Sequence, residues 1–253
     1  MAINRKLKIT LLLGMSRSGS KLVKNTLNKL PDIYCAGEIL WQSAFNGSHI
    51  KNYIEGSRDS CKDTAVKEFD EFSPLFLAYC HRQGVKGIGM FSEKLSVIRD
   101  VSKIVLKYPF SLRVALRSNL DCYDIVLLIR DPQSVLRSDF LYKASLLKSR
   151  YWKVLELGLS IYHLLQYKRY LTLVKRYSCK VLFYDELMSS ANIFKEELVQ
   201  AFELGESDMI KYPPKKNSSI EFNRKGFDDF KPSPLAFLFT RISNYYFAKL
   251  RSY

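Results

Sequence analysis

The sequence has little of what several common classes of protein require. It contains five cysteines and three histidines, and only 25 acidic residues stand against 40 basic ones in a chain of 253 residues. The cysteines lie far apart, form no CxxC pair and are odd in number, which argues against a disulfide framework. Three scattered histidines are too few for a zinc site, and we predict that the protein uses no metal.

Long hydrophobic runs and targeting signals are missing as well. The apolar run near the N-terminus, residues 9–13, follows a basic stretch but is too short to span a membrane. No small-residue cleavage site follows it, so a buried strand is the better interpretation than a signal peptide. Together with the cysteine pattern, this predicts a cytoplasmic protein.

The excess of basic residues gives a formal net charge of +15, while 47% of the residues are hydrophobic. The charge favours an anionic partner, which leaves a nucleotide, an acidic glycan, a membrane surface and nucleic acid all open. The hydrophobic residues are spread along the chain, as in a folded protein. We predict one domain over residues 1–253, with 211–253 as a candidate C-terminal appendage that follows a KYPPKK stretch.

Strand and helix patterns alternate along the chain, which is typical of an α/β protein. Apolar runs predict strands at residues 9–13, 85–91, 124–129 and 181–184. Helical spacing predicts helices after Gly19 and over 151–177. Pro132 favours a helix start after the third strand, and a capped helix is predicted over about 190–202. The 151–177 helix is predicted to have an apolar stripe of Leu155, Leu159, Tyr162 and Leu165. We therefore predict a P-loop-like three-layer fold, in which helices flank a central parallel sheet and ligands bind at the carboxyl ends of its strands.

The segment Gly14-Met-Ser-Arg-Ser-Gly-Ser-Lys21 joins the first strand to the first helix. Gly14 and Gly19 allow a tight turn, and the free amides over about residues 18–22 would point at one spot. Such a nest, with donors from Arg17, Ser20 and Lys21, suits a phosphate or a sulfate. An ordinary strand-to-helix turn with solvated basic residues is the alternative.

The loop departs from the nucleoside-triphosphate motif GxxxxGKS/T at the lysine and at the hydroxyl residue that follows it. Lys21 stands one place late, and Leu22 occupies the place of the hydroxyl that would bind magnesium. A P-loop kinase that uses ATP and magnesium stays open as the alternative function, with Asp131 as its candidate acid.

Residues Arg17-Ser-Gly-Ser20 are similar to the 5′-phosphosulfate loop of sulfotransferases, whose usual form is PRSGTT or PKSGTT. Lys21 departs from this pattern, because the family has a second hydroxyl there. The resemblance implies 3′-phosphoadenosine 5′-phosphosulfate (PAPS) as co-substrate and 3′-phosphoadenosine 5′-phosphate (PAP) as product, without a metal. The residues implied to surround the phosphosulfate are Arg17, Ser18, Gly19, Ser20, Lys21 and Leu22.

The segment from Pro31 to Glu38, PDIYCAGE, resembles the PDIRCGEE segment of tyrosylprotein sulfotransferases. The resemblance implies that Glu38 is the general base, which the chemistry requires because a hydroxyl is a poor nucleophile until it loses its proton. Many carbohydrate sulfotransferases also use a glutamate in this region. A solvated loop glutamate is the alternative interpretation.

A third strand-end motif, Arg130-Asp-Pro-Gln-Ser-Val-Leu-Arg-Ser138, resembles the 3′-phosphate motif RDPRxxxxS of sulfotransferases. The resemblance implies that Arg130 and Ser138 bind the 3′-phosphate, and a guanidinium is suited to that contact. The tyrosylprotein branch has a further arginine four residues after the serine, where this chain has Tyr142.

Three shorter segments resemble the same family and each has a plain structural alternative. Lys94, in SEK, is similar to the lysine of an EKT segment that stabilises the bridging oxygen. Tyr184, in YDEL, is similar to a tyrosine of a YEDL element near the nucleotide. A core aromatic residue followed by solvated acidic residues would give the same sequence pattern. Arg224, Lys225 and Gly226 resemble an RKG triplet that holds the 3′-phosphate.

The acceptor is the least determined part of the prediction. We expect a hydroxyl on a glycan or a lipid-linked glycan, with residues 45–84 contributing to its recognition. The mixture of apolar and basic residues from Ser233 onward predicts either a helix lying on a membrane surface or a last helix packed on the core. A nucleic-acid-binding module has only the net charge in its favour, and we predict no nucleic-acid partner.

Overall fold

The structure is a computed structural model, and it describes residues 7–15, 18–36, 72, 76, 79–80, 83–107, 112–146, 152–205, 209–213 and 232–253. The chain divides into two compact units. The first contains Met1–Leu13, Ser20–Val126 and Asp208–Ile210, and the second contains Gly14–Gly19, Leu127–Ser207 and Lys211–Tyr253.

The described residues include five strands and eight helices. The strands are β1 (Lys8–Gly14), β2 (Ile33–Ala36), β3 (Lys103–Lys107), β4 (Asp124–Ile129) and β5 (Cys179–Phe183). The helices are α1 (Ser20–Leu27), α2 (Val85–Arg99), α3 (Leu112–Ala115), α4 (Pro132–Leu146), α5 (Trp152–Arg176), α6 (Tyr184–Leu187), α7 (Ala191–Phe202) and α8 (Pro234–Leu250).

The strands form one parallel sheet in the order β2-β3-β1-β4-β5. In the first unit, β3 is hydrogen-bonded on both sides, with Val105 opposite Thr10 of β1 and opposite Cys35 of β2. All five residues of β3 are therefore buried. Helices flank the sheet, so the predicted P-loop-like α/β fold is confirmed.

Side chains outside the sheet fix the short strand β2, which the sequence analysis missed. The Asn28 side chain, just after α1, donates to the Cys35 carbonyl at 3.0 Å and accepts from the Cys35 amide at 2.6 Å. This pair of bonds replaces a neighbouring strand for one residue of β2, and it joins the end of α1 to the sheet within the first unit.

In the second unit, the last helix α8 packs against α5 and α4. Ser233 caps its start, because its Oγ accepts from the Ala236 amide at 3.4 Å. The Ser233 amide in turn donates to the buried carboxylate of Glu156 on α5 at 2.9 Å. Among the described residues, no helix is both long enough and apolar enough to cross a membrane.

The predicted strands at 9–13, 124–129 and 181–184 and the helices at 132, 151–177 and 190–202 are confirmed within a few residues. The predicted strand at 85–91 is wrong, because these residues open the helix α2. The buried side chains of α2 include Ile88, Phe91 and Leu95, whose spacing is helical. Asp100 then ends the helix in the left-handed conformation, with φ of 50°.

The predicted apolar stripe of α5 is also wrong in part, since Tyr162 and Leu165 are each 44% exposed. The buried stripe runs instead through Leu159, His163 and Tyr167. This stripe includes polar side chains, and the His163 Nε2 atom lies 3.2 Å from the Oδ2 atom of Asp139 on α4. A hydrophobic pattern could not reveal a stripe that contains a buried, hydrogen-bonded imidazole.

Candidate functional site

Three predicted site residues lie at the carboxyl ends of neighbouring strands. Gly19 ends the loop that follows β1, Arg130 follows β4 and Tyr184 follows β5, and all three belong to the second unit. The sheet order places β1 beside β4 and β4 beside β5. This edge of a parallel sheet, where the strand order reverses, is where α/β proteins usually bind ligands.

The loop is in direct contact with Tyr184. Gly19 has φ of +93°, and a Cβ atom built on it would lie 2.2 Å from Cε2 and 2.3 Å from Cδ2 of the Tyr184 ring. Only glycine combines that backbone conformation with so close an approach. The Gly19 that the sequence analysis assigned to phosphate binding therefore also allows the ring of Tyr184 to lie against the loop.

The described part of the loop folds back on itself before the helix begins. The Ser18 amide donates to the Met15 carbonyl at 3.3 Å, and the Ser18 side chain is fully buried. Helix α1 then starts at Ser20, which is buried, while Lys21 is exposed. The first amides of a helix have no partner within it and carry a partial positive charge, which favours an anion at this position.

Arg130 also contacts Tyr184. Its guanidinium carbon lies 4.8 Å from the centroid of the Tyr184 ring. Burial raises the pKa of the Tyr184 hydroxyl, and the neighbouring Arg130 opposes that shift. The tyrosine is therefore neutral at physiological pH. Its ring contacts both the phosphate loop and the arginine, so the structure brings Gly19, Arg130 and Tyr184 together.

Two residues that the sequence analysis did not assign to the site hold the backbone at Arg130. The Tyr167 hydroxyl donates to the Arg130 carbonyl, and burial raises the pKa of Tyr167 well above its ordinary value, so the donor proton is retained. The Asp185 Oδ2 atom accepts from the Asp131 amide at 3.0 Å. The sequence offered only the YDEL segment as a signal for Asp185 and nothing specific for Tyr167.

The start of α4 forms a shallow depression beside this turn. It is lined by Asp131, Gln133, Ser134 and Arg137, and the Asp131 Oδ1 atom accepts from the Ser134 amide at 2.8 Å. Ser138, which is buried, lies one helical turn after Ser134 on the same face. A helix N-terminus with an arginine at its edge is suited to an anionic group, and the predicted phosphate contact of Ser138 stays a prediction.

Of the remaining predicted residues, Lys94 belongs to the first unit and the others lie outside the described residues. Lys94 lies on α2 rather than after a strand, and its ammonium group is 4.4 Å from the centroid of the Phe76 ring. Glu38, Arg17 and the triplet Arg224, Lys225 and Gly226 lie outside the described residues, as does most of 45–84. Among the described residues, no group of three or more His, Cys, Asp or Glu side chains is arranged to hold a metal ion.

Comparison with known proteins bears on the fold. No protein-family model matches the sequence, and no curated protein matches it significantly. Among solved structures, the chain is similar to the sulfotransferase domain of the olefin synthase from Synechococcus PCC 7002, with a TM-score of 0.55 and 14% sequence identity. The similarity covers 96% of this chain and 96% of that domain. The chain therefore has a sulfotransferase-like fold, in agreement with the resemblance of its loop and strand-end motifs.

Proposed function

We propose that the protein is a PAPS-dependent sulfotransferase, which transfers a sulfuryl group from PAPS to an acceptor hydroxyl. The observation that supports this most is the contact of both Gly19 and Arg130 with the Tyr184 ring. PAPS carries anionic groups on both sides of its ribose, so it requires an anion-binding loop and a second cationic site close together. The sulfotransferase-like fold supports the same function.

The donor would be held by residues at the ends of β1, β4 and β5. The residues proposed to bind the 5′-phosphosulfate are Arg17, Ser18, Gly19, Ser20, Lys21 and Leu22. Arg130 and Ser138 would bind the 3′-phosphate, since a guanidinium can form two parallel hydrogen bonds to phosphate oxygens. Tyr184 would lie beside the nucleotide, and Arg224, Lys225 and Gly226 are proposed to add contacts to the 3′-phosphate.

The reaction would be a direct in-line displacement at sulfur. Glu38 would accept the proton of the acceptor hydroxyl while the acceptor oxygen forms a bond to sulfur. The bond between sulfur and the 5′-phosphate oxygen breaks, and PAP leaves with its negative charge. A positioned base contributes about 10²–10⁴-fold to such a reaction. Lys94 and the loop donors would neutralise the charge that develops on the departing oxygen, and no metal is required.

We propose a glycan or a lipid-linked glycan as the acceptor, acted on in the cytoplasm, with residues 45–84 contributing to acceptor recognition. A net charge of +15 would favour an acidic glycan over a neutral one. Nucleic acid is not proposed as a partner.

Calorimetric titration of the full chain with PAP, ADP, ATP with magnesium, and an oligonucleotide tests this function. PAP should bind roughly ten- to a hundredfold more tightly than ADP, because ADP lacks the 3′-phosphate and one charge-assisted contact is worth that much. Arg130→Ala should remove most of the preference, whereas Arg117→Ala at an exposed position should leave it unchanged. Equal affinity for PAP and ADP, or tighter binding of ATP with magnesium, would reject the sulfotransferase and support the kinase.

A further inference from the structure

The last helix, α8, exposes several of its large apolar side chains. The buried positions are Ala236, Thr240, Ser243 and Leu250, at helical spacing. The exposed apolar residues are Leu235, Phe237, Leu238, Ile242 and Tyr245, whose exposed fractions lie between 38% and 58%. Phe247 packs edge-on against Tyr167 and Phe183, so α8 divides its large apolar side chains between the core and solvent.

Two hydroxyl groups on the buried side of α8 form hydrogen bonds within the helix. The Thr240 hydroxyl donates to the Ala236 carbonyl at 2.8 Å, and the Ser243 hydroxyl donates to the Phe239 carbonyl at 2.9 Å. These polar groups therefore need no partner on another helix, and their small size allows α8 to pack closely against α5.

The neighbouring helix α5 also exposes large apolar side chains. Those exposed are Trp152, Val154, Ile161, Tyr162 and Leu165. Because α5 and α8 pack against each other within the second unit, two adjacent helices present aromatic and aliphatic residues to solvent. Exposed apolar surface in such quantity usually marks a binding surface.

The exposed charges on these two helices are of one sign. Five basic residues lie on α5 and two on α8, namely Lys153, Lys168, Arg169, Lys175, Arg176, Arg241 and Lys249. The one acidic residue within either helix is Glu156, which is 6% exposed and accepts from the Ser233 amide. Neither helix, therefore, presents an exposed carboxylate to a partner.

We propose that the exposed surfaces of α5 and α8 bind an anionic lipid bilayer. Large apolar and aromatic side chains would enter the headgroup region, and the lysines and arginines would pair with lipid phosphates, as in interfacial amphipathic helices. A second copy of the chain fits less well, because two identical surfaces that carry only positive charge repel each other. Nucleic acid would pair with the cations but would leave Leu238 and Ile242 exposed to water.

Vesicle co-sedimentation of the full chain tests this proposal, with phosphatidylcholine vesicles prepared with and without phosphatidylglycerol. The wild-type protein should sediment with the anionic vesicles and should stay partly bound near 1 M salt, where the Debye length is about 3 Å. The triple variant Leu238→Ser, Ile242→Ser and Tyr245→Ser should bind at least about tenfold more weakly, because three apolar contacts are lost.

The matched control is Val97→Ser on α2, an 81% exposed apolar residue of the first unit, which should bind like the wild type. Circular dichroism checks that the variants are folded, and PAP titration of the same samples keeps membrane binding separate from the proposed enzymatic function. Unchanged vesicle binding by the triple variant would overturn the proposal, as would complete release at high salt, since either result indicates adhesion by charge alone. Concentration-dependent dimerisation that the triple variant abolishes would also overturn it in favour of a second copy.

Discussion

Gly19 and Tyr184 lie so close that no side chain fits between them. A Cβ atom on Gly19 would stand 2.2 Å from the Tyr184 ring, and the backbone there has φ of +93°. The contact joins the loop after β1 to the residue after β5, with Arg130 over the same ring. Any change at Gly19 therefore alters the loop and the tyrosine together.

Gly19→Ala should destabilise the protein by about 2 kcal/mol or more, since it adds both an overpacked contact and a strained backbone. Chemical denaturation measures the change in the free energy of unfolding. Gly84→Ala is the matched control, because Gly84 has φ of +57° but nothing within 4 Å of its built Cβ. It should cost less than Gly19→Ala, because only backbone strain opposes an added Cβ atom there.

A double mutant separates the steric part of the Gly19 effect from the backbone part. In a Tyr184→Ala background the ring is absent, so Gly19→Ala should cost no more than Gly84→Ala does in the wild type. A cost for Gly19→Ala that is the same in both backgrounds would show that the ring contact does not constrain the loop.

Asp185→Ala should weaken PAP binding by about three- to tenfold, because the Asp131 amide loses the carboxylate that fixes the turn at Arg130. Calorimetry with PAP measures the effect. The control is the neighbouring Glu186→Ala, which removes a surface ion pair between Glu186 and Arg251. Both side chains are about half exposed, so this substitution should leave PAP affinity unchanged. Equal effects of the two substitutions would argue against a positioning role for Asp185.

Glu38→Gln should lower turnover by about a hundredfold or more, while PAP affinity stays close to that of the wild type. The proposed role of Glu38 is to accept the acceptor's proton, which glutamine cannot do, and the substitution removes no proposed donor contact. Radiolabelled sulfate transfer and PAP calorimetry on the same preparation measure the two quantities. Near-normal turnover would place the base elsewhere, with His49 and Asp63 as the next residues to substitute.

Cys179 should resist alkylation at about pH 8, because burial raises the pKa of its thiol from 9.0 to about 12 and the thiolate is the reactive form. Exposed Cys122 should react, and peptide mapping after iodoacetamide treatment distinguishes the two. The raised pKa also makes the stability of the fold depend on pH in the alkaline range. The folded protein keeps a proton that the unfolded chain releases above about pH 9, so the contribution of Cys179 is lost as the pH rises toward 12.

Rapid labelling of Cys179 in the folded protein would contradict its partly buried environment at the start of β5. Cys179→Ala should flatten the loss of stability over the same alkaline range. An unchanged alkaline profile in that variant would assign the loss to other groups, such as Tyr123, whose pKa burial raises to about 12.

The sequence predicted β1 and β4, whose buried residues are almost all apolar. β1 and β4 carry runs of leucine, isoleucine and valine, and they lie inside the sheet where both faces are covered. β2 and β3 were missed because β2 has only four residues and β3 begins and ends with lysines that are nonetheless buried. The strand predicted at 85–91 failed because its apolar run continues at helical spacing to Leu95.

For the site, motifs identified the residues at strand ends but not the residues that hold them. Gly19, Arg130 and Tyr184 belong to short patterns that can be read along the chain. Tyr167 acts on Arg130 through a single hydroxyl contact from the middle of a long helix, and no local pattern marks it. Tertiary contacts of this kind depend on which helix packs beside which strand, and that is determined by the whole fold.

The distance along the chain between Gly19 and Tyr184 is 184 − 19 = 165 positions. Their contact closes a loop of most of the chain, and such a closure becomes favourable only when many other contacts form with it. A substitution far from this contact, which lowers the stability of the fold but leaves the site intact, should consequently change the folded fraction and not the affinity of the folded molecules. A destabilised variant would contain fewer binding-competent molecules, each of full affinity, and added PAP would restore the missing fraction.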